Sequence, residues 1–114
     1  MEYKVQGTKE FDQQYQQLKQ SAENGNGASQ ILLKKLDKAI AKLKYNFRSG
    51  EHIPRDQIPD YYTARFGVEN LWKINIDPDY RLIYTIRGTE IEVMSVLLEF
   101  FDHKDYNKRF KYKT

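Results

Sequence analysis

The feature that most constrains this chain is a change of period part-way along it. Up to Phe47 the apolar residues recur every three or four positions; from Leu71 onward they alternate with polar ones. The first period is that of a helix with one buried stripe, the second that of a half-buried strand. Phe11, Tyr15, Leu18 and Ala22 form the first stripe, with Gln, Lys and Glu on the other faces. Thr8 stands where an N-cap hydroxyl is wanted, and Glu10 adds an acid in the first turn. Asn24-Gly25-Asn26-Gly27 breaks this helix. Ser29 then caps a second helix striped with Leu32, Leu36, Ile40, Leu43 and Phe47, and Gly50 sits where a C-terminal glycine would. Lys34, Lys35, Lys38, Lys42 and Lys44 occupy much of its remaining surface, which reads first as a solvated face.

Tyr3-Lys4-Val5-Gln6 alternates and ends at Gly7, as a short first strand does. From Glu51 to Pro59 the chain reads as irregular, because Pro54 and Pro59 forbid regular helix. Leu71 to Asp77 alternates, Pro78-Asp79 turns, Tyr80 to Arg87 alternates again, Gly88-Thr89 turns, and Glu90 to Phe101 is a long β-branched run. That is an antiparallel meander. After Asp102 comes a short basic tail, about one helical turn. The expected class is α+β: an N-terminal strand, a helical hairpin, then a three-stranded antiparallel meander, with the helices packed on one face of the sheet. At 114 residues the chain is expected to be one domain, 1–114.

Composition narrows the chemistry. The chain has no cysteine and two histidines, His52 and His103, far apart in sequence. Neither a disulfide framework nor a thiolate zinc site can be built, and no metal or other cofactor is expected. His52, in a loop before Pro54, reads as an exposed loop residue. The beginning of the chain lacks an apolar signal region and no run approaches membrane-spanning length, so the expected compartment is the cytoplasm, with no membrane partner. The net charge of +3 is modest, but it is concentrated: Lys104, Lys108, Arg109, Lys111 and Lys113 face a single acid, Asp105, in the tail. A concentrated cationic patch suits an anionic partner such as RNA.

Alternation sorts the meander into two faces. Trp72, Ile74 and Ile76, with Tyr80, Leu82, Tyr84 and Ile86, form an apolar face for the helices. Lys73, Asn75 and Arg81 fall on the other, beside a short turn, where a phosphate can be held. A sheet covered on one side shows polar residues on its other side as a matter of course, so this pattern alone is not a site. His103-Lys104-Asp105-Tyr106 is more telling, since it gathers an imidazole, a cation, a carboxylate and a phenol within four positions. Phosphodiester cleavage needs a base, an acid and fixed cations for the developing charge. His103 and Tyr106 can move protons; Arg81, Lys73 and Lys104 can hold the phosphate. The competing reading is that Tyr106, Phe110 and Tyr112 pin the tail to the core while its charges stay wet.

Leu71-Trp72-Lys73-Ile74-Asn75-Ile76, followed by Asp79-Tyr80-Arg81-Leu82-Ile83-Tyr84, resembles the paired strands of the RelE/ParE toxin superfamily. Ile91–Phe101 followed by Asp102-His103-Lys104-Asp105-Tyr106 looks like that superfamily's closing strand and tail. The resemblance implies a toxin of a type II toxin–antitoxin system whose partner is an antitoxin. For RelE-like members it implies a ribosome-dependent, metal-independent endoribonuclease that cuts mRNA and inhibits translation. It carries Lys73, Arg81, His103 and Tyr106 onto catalytic positions and Lys104 onto a tail cation; Lys104 is expected to bind the substrate, together with Asn75 of the strand face and Lys108 and Arg109 of the basic tail. Asn75 stands where the RelE type has a second strand lysine. The alternatives are a ParE-like toxin that poisons DNA gyrase by binding it, and a catalytically inactive member that serves as a binding module.

Overall fold

Among the described residues five strands make one sheet, in the order β1 (Glu2–Gly7), β5 (Glu92–Asp102), β4 (Tyr80–Gly88), β3 (Trp72–Asp77), β2 (Glu51–His52), with helices against both of its faces. The computed structural model describes residues 2–77, 79–88 and 92–110. Pro78, Thr89, Glu90 and Ile91, and with them parts of both expected turns and the start of the long β run, lie outside the described residues, as do Lys111, Tyr112 and Lys113 of the basic tail.

Strand β1 (Glu2–Gly7) leads into α1 (Lys9–Glu23), whose N-cap is Thr8: its hydroxyl accepts from the Phe11 amide at 3.1 Å. Helix α2 (Gly27–Tyr45) starts two residues before Ser29. Asn26 is its cap, accepting from the Ser29 amide at 2.8 Å, so the expected cap residue is instead the donor. Gly50 is not the C-terminal glycine of α2. The helix stops at Asn46, whose backbone is extended, and Phe47 lies past its end, its ring 5.3 Å from that of Tyr3. What requires glycine at position 50 is crowding: a Cβ there would meet the Lys73 carbonyl and the Tyr84 hydroxyl.

The meander is present as β3 (Trp72–Asp77), β4 (Tyr80–Gly88) and β5 (Glu92–Asp102), antiparallel throughout. Two pairings extend it. β1 lies parallel to β5, Tyr3 opposite Val93 and Gly7 opposite Leu97, and the Thr8 amide continues the ladder to the Leu97 carbonyl at 2.9 Å. β2 (Glu51–His52) adds antiparallel to β3, with Glu51 opposite Lys73 and His52 opposite Trp72. His52 is exposed, as expected, and its ring meets the Trp72 indole edge-on.

The face expected to take the hairpin does so. Phe11, Leu18, Leu36, Ala39 and Leu43 pack on Ile74, Ile76, Leu82, Tyr84, Leu97 and Phe100, with Trp72, Tyr80 and Ile86 at the margin. Burying such side chains contributes about 1.5–3 kcal/mol each, which is what holds an amphipathic hairpin on a sheet. The other face is not left to polar residues. A second apolar cluster joins Ile83, Leu98 and Phe101 of the sheet, and Leu71 just before β3, to Tyr62, Tyr106 and Phe110. Tyr62 comes from α3 (Asp60–Phe66), and the other two from α4 (His103–Phe110). Pro59 stands just before α3 as its N-cap, where a missing amide hydrogen costs nothing, and Gly67 ends it at φ +62°. Seven residues are too few for a periodic stripe, so α3 left no pattern to read. The basic tail runs for eight helical residues rather than one turn, because Tyr106 and Phe110, one turn apart, both bury on the sheet.

Candidate functional site

Lys73 and Asn75 stand on the β3 face that looks toward α4, and antiparallel register sets Asn75 opposite Arg81 and Lys73 opposite Ile83. Strand pairing therefore brings two cations from either side of a turn onto one surface. A bulge between Asn75 and Asp77 ends the regular ladder, and past it the Asp77 carboxylate reaches Lys35 of α2 at 3.7 Å.

Helix α4 closes over this surface. It leaves β5 directly: the His103 amide donates to the Asp79 carbonyl at 2.7 Å and the Asp105 amide to the Asp102 carboxylate at 2.9 Å. One turn later Tyr106 points inward, 4 % exposed, its ring 4.5 Å from that of Phe110 and 6.0 Å from that of Phe101. Its phenol oxygen accepts from Lys73 Nζ at 3.0 Å. The Arg81 guanidinium carbon lies 5.9 Å from the centre of the same ring, near the outer limit of a cation–π contact. Arg81 also donates to the Tyr80 carbonyl at 3.1 Å and the Asp77 carbonyl at 3.4 Å. Lys73, Arg81 and Tyr106, far apart in sequence, thus form one cluster. Of the two readings of the tail, packing holds for Tyr106 and Phe110, and the Tyr106 hydroxyl is engaged by a cation at the same time.

The remaining candidates divide. His103 and Lys104 are exposed at the N-terminal end of α4, Lys108 is exposed near its other end, and Asn75 is exposed beside Arg81. Arg109 is drawn elsewhere. Its Nε lies 3.3 Å from Glu99 Oε2, its Nη2 is 3.4 Å from Glu99 Oε1, and its guanidinium carbon sits 3.6 Å above the Tyr61 ring of α3.

Two residues beside these were not legible as site residues. Glu51 lies 3.8 Å from Lys73 Nζ, and nothing near it in sequence announces that, because a two-residue strand makes the pairing. Glu99 did leave a signal. It is a lone carboxylate within a run of apolar residues, Val96 to Phe101, and a carboxylate so placed needs a partner cation. Beside it, the Tyr62 phenol is pushed up from its ordinary range, first by burial and then by the Glu99 carboxylate.

Among the described residues no helix is long and apolar enough to cross a membrane, and no group of three or more His, Cys, Asp or Glu is placed to hold a metal ion.

No curated protein sequence matches the chain. Among solved structures it is similar to a YoeB/ParE toxin from Agrobacterium tumefaciens, at 15% sequence identity and a TM-score of 0.59, over 88% of this chain and 98% of that one. At that identity the likeness is one of fold. The family described as the ParE toxin of the type II toxin–antitoxin system, parDE, matches residues 5–98, which takes in the end of β1, both helices of the hairpin, β2, α3, β3, β4 and most of β5. The chain belongs to this family: it is a ParE-type toxin of a type II toxin–antitoxin system.

Proposed function

We propose that this toxin arrests growth by cutting RNA, with mRNA on the ribosome as its substrate, at the surface formed by Lys73, Arg81 and the N-terminal turn of α4. The observation that carries this reading is the convergence of Lys73 and Arg81 on Tyr106. Two cations fixed by the sheet can hold a phosphodiester in place and stabilise the charge that grows on it, without reorganising as it grows. His103, exposed one turn before Tyr106, is the imidazole that takes the proton from the attacking 2′-hydroxyl. The new bond joins that oxygen to phosphorus, the bond to the 5′-oxygen breaks, and the departing oxygen takes up a proton. Tyr106 holds the Lys73 ammonium rather than stacking on a base, since its ring is covered. Lys104, Lys108 and Asn75 line the approach for flanking phosphates, and an antitoxin covers this face in the resting pair.

The burial of Tyr106 also favours a second reading, in which the chain is a gyrase-directed toxin that acts by binding and needs no acid or base. Membership of the ParE-type family supports it as well. One experiment separates the two: purified toxin is added to ribosomes translating a defined message and, in parallel, to gyrase with supercoiled DNA. Message cut by the wild type and left intact by Arg81→Ala and His103→Ala supports the RNA reading. Intact message with gyrase-dependent DNA breakage sinks it in favour of the second.

A further inference from the structure

Helix α4 carries Tyr106 to Lys73, so whatever fixes α4 fixes the cluster. Its first turn is tied by the His103 and Asp105 amides. Its apolar contacts, Tyr106 and Phe110, lie in a cluster of rings and aliphatic side chains, and apolar burial is non-directional. The group with directional demands is Arg109. It follows Tyr106 by three residues, so the two are neighbours on the helix surface. Its guanidinium is held on Glu99 by one hydrogen bond, Nη2 to Oε1 at 3.4 Å, and by the ion pair of Nε with Oε2 at 3.3 Å, while its plane lies against the Tyr61 ring. Tyr61 backs it from α3. Glu99 is 12% exposed and Arg109 32%; Glu99 Oε2 and Arg109 Nε are buried and meet as charges without the alignment of a hydrogen bond. A pair so placed adds little net stability over an apolar one, but it strongly disfavours any register of α4 that would part the charges.

We propose that Arg109 and Glu99 are positioning residues: they clamp α4 to β5 and α3 in the register that brings Tyr106 to Lys73, and Arg109 takes no part in gripping the target. This rests on the reading of the Lys73–Arg81 surface as the target site. It also separates Arg109 from Lys104 and Lys108, the exposed cations of the same helix, which face solvent and are available to an anionic partner.

The test uses the full chain, a short uridine oligonucleotide as probe, and the Tyr106 ring-proton resonances as a direct report on the cluster. Arg109→Gln and Glu99→Gln are each expected to shift those resonances and to weaken binding about tenfold, as a small displacement of a preorganised site does. The slope of log affinity against log salt is expected to stay unchanged in Arg109→Gln and to fall by about 0.7 in Lys73→Gln, one phosphate contact on a single strand. A slope that falls in Arg109→Gln as it does in Lys73→Gln makes Arg109 a phosphate contact and overturns the clamp. Unmoved Tyr106 resonances in Arg109→Gln overturn it too. Should Arg109→Gln not fold, Arg109→Lys keeps the charge and loses the planar contact with Tyr61 and the Nη2 hydrogen bond, and the same resonances decide. If the resonances move while Lys73→Gln leaves binding and slope untouched, the clamp stands and the reading of the target as RNA falls.

Discussion

Lys73 on β3 and Tyr106 on α4 are joined by a hydrogen bond of 3.0 Å, with the ammonium donating to a phenol whose ring is almost wholly covered. The bond links the sheet to the last helix at the point where the cations gather. It gives one residue two duties, because the same ring fills the second apolar cluster.

Tyr106→Phe separates those duties. The ring stays and the acceptor goes, so the expected loss of stability is about 1 kcal/mol, one net hydrogen bond. Toxicity on expression is expected to fall much further than stability, because Lys73 loses the contact that orients it. A thermal melt beside a growth assay checks this, and full toxicity with a lowered melting temperature would contradict it.

Tyr84 gives a prediction in pH. Its hydroxyl accepts from the Gly50 amide at 3.1 Å and donates to the Phe47 carbonyl at 3.0 Å, and burial pushes the phenol up to about 12 from the ordinary 10.0. A phenol raised in the folded state keeps its proton there while the unfolded chain loses it. Its contribution is therefore fully present below pH 10 and is lost as pH rises toward 12, about 3 kcal/mol for a shift of this size. Tyr15, raised to about 12 chiefly by its hydrogen bond to Asp37, acts in the same direction but stands partly in water. Denaturant unfolding at a series of alkaline pH values should show a flat region that ends near pH 10.

Gly50→Ala is expected to destabilise the chain by about 1–3 kcal/mol, the range for overpacking a closed site. The added Cβ meets the Lys73 carbonyl and, at 2.6 Å, the Tyr84 hydroxyl. Because Glu51 follows directly, the pairing of β2 with β3 should loosen with it. Faster amide exchange at Ile53, whose N–H donates to the Leu71 carbonyl at 2.9 Å, is the readout.

Asn70 behaves as an added rung on β4. Its side chain accepts from the Ile86 amide at 2.8 Å and donates to the Ile86 carbonyl at 2.8 Å, while its own carbonyl accepts from the buried Thr85 hydroxyl at 2.7 Å. Asn70→Ala orphans both backbone groups of Ile86 and is expected to cost about 1–3 kcal/mol, where Asn70→Asp, which keeps one of the two bonds, costs less. Chemical denaturation of the two variants checks the order.

The α1–α2 hairpin, the three meander strands and the division of the meander into two faces were legible because each is a local period repeated over many residues. Lys73 and Arg81 could be put on one face by alternation alone, and the neighbouring pair Asn75 and Arg81 follows from the turn between the strands. Even the errors were local in kind. Ser29 and Gly50 looked like helix ends because their residue types suit helix ends, yet Asn26 capped α2 better and Gly50 answered to Tyr84, thirty-four residues away.

By itself, then, the sequence determined the first strand, the two hairpin helices and the three meander strands, and which face of the meander takes the hairpin, since those depend on the order of side chains along a few turns or a few pleats. The tertiary structure decided what no local period encodes: the parallel pairing of β1 with β5, the second cluster under α3 and α4, and the fates of the basic residues of the tail. His103 and Lys104 stay in solvent, and Tyr106 turns inward to Lys73. Arg109 is drawn to Glu99 because a carboxylate in an apolar strand is too costly to leave unpaired, and only the packing of α4 on β5 brings a cation within reach.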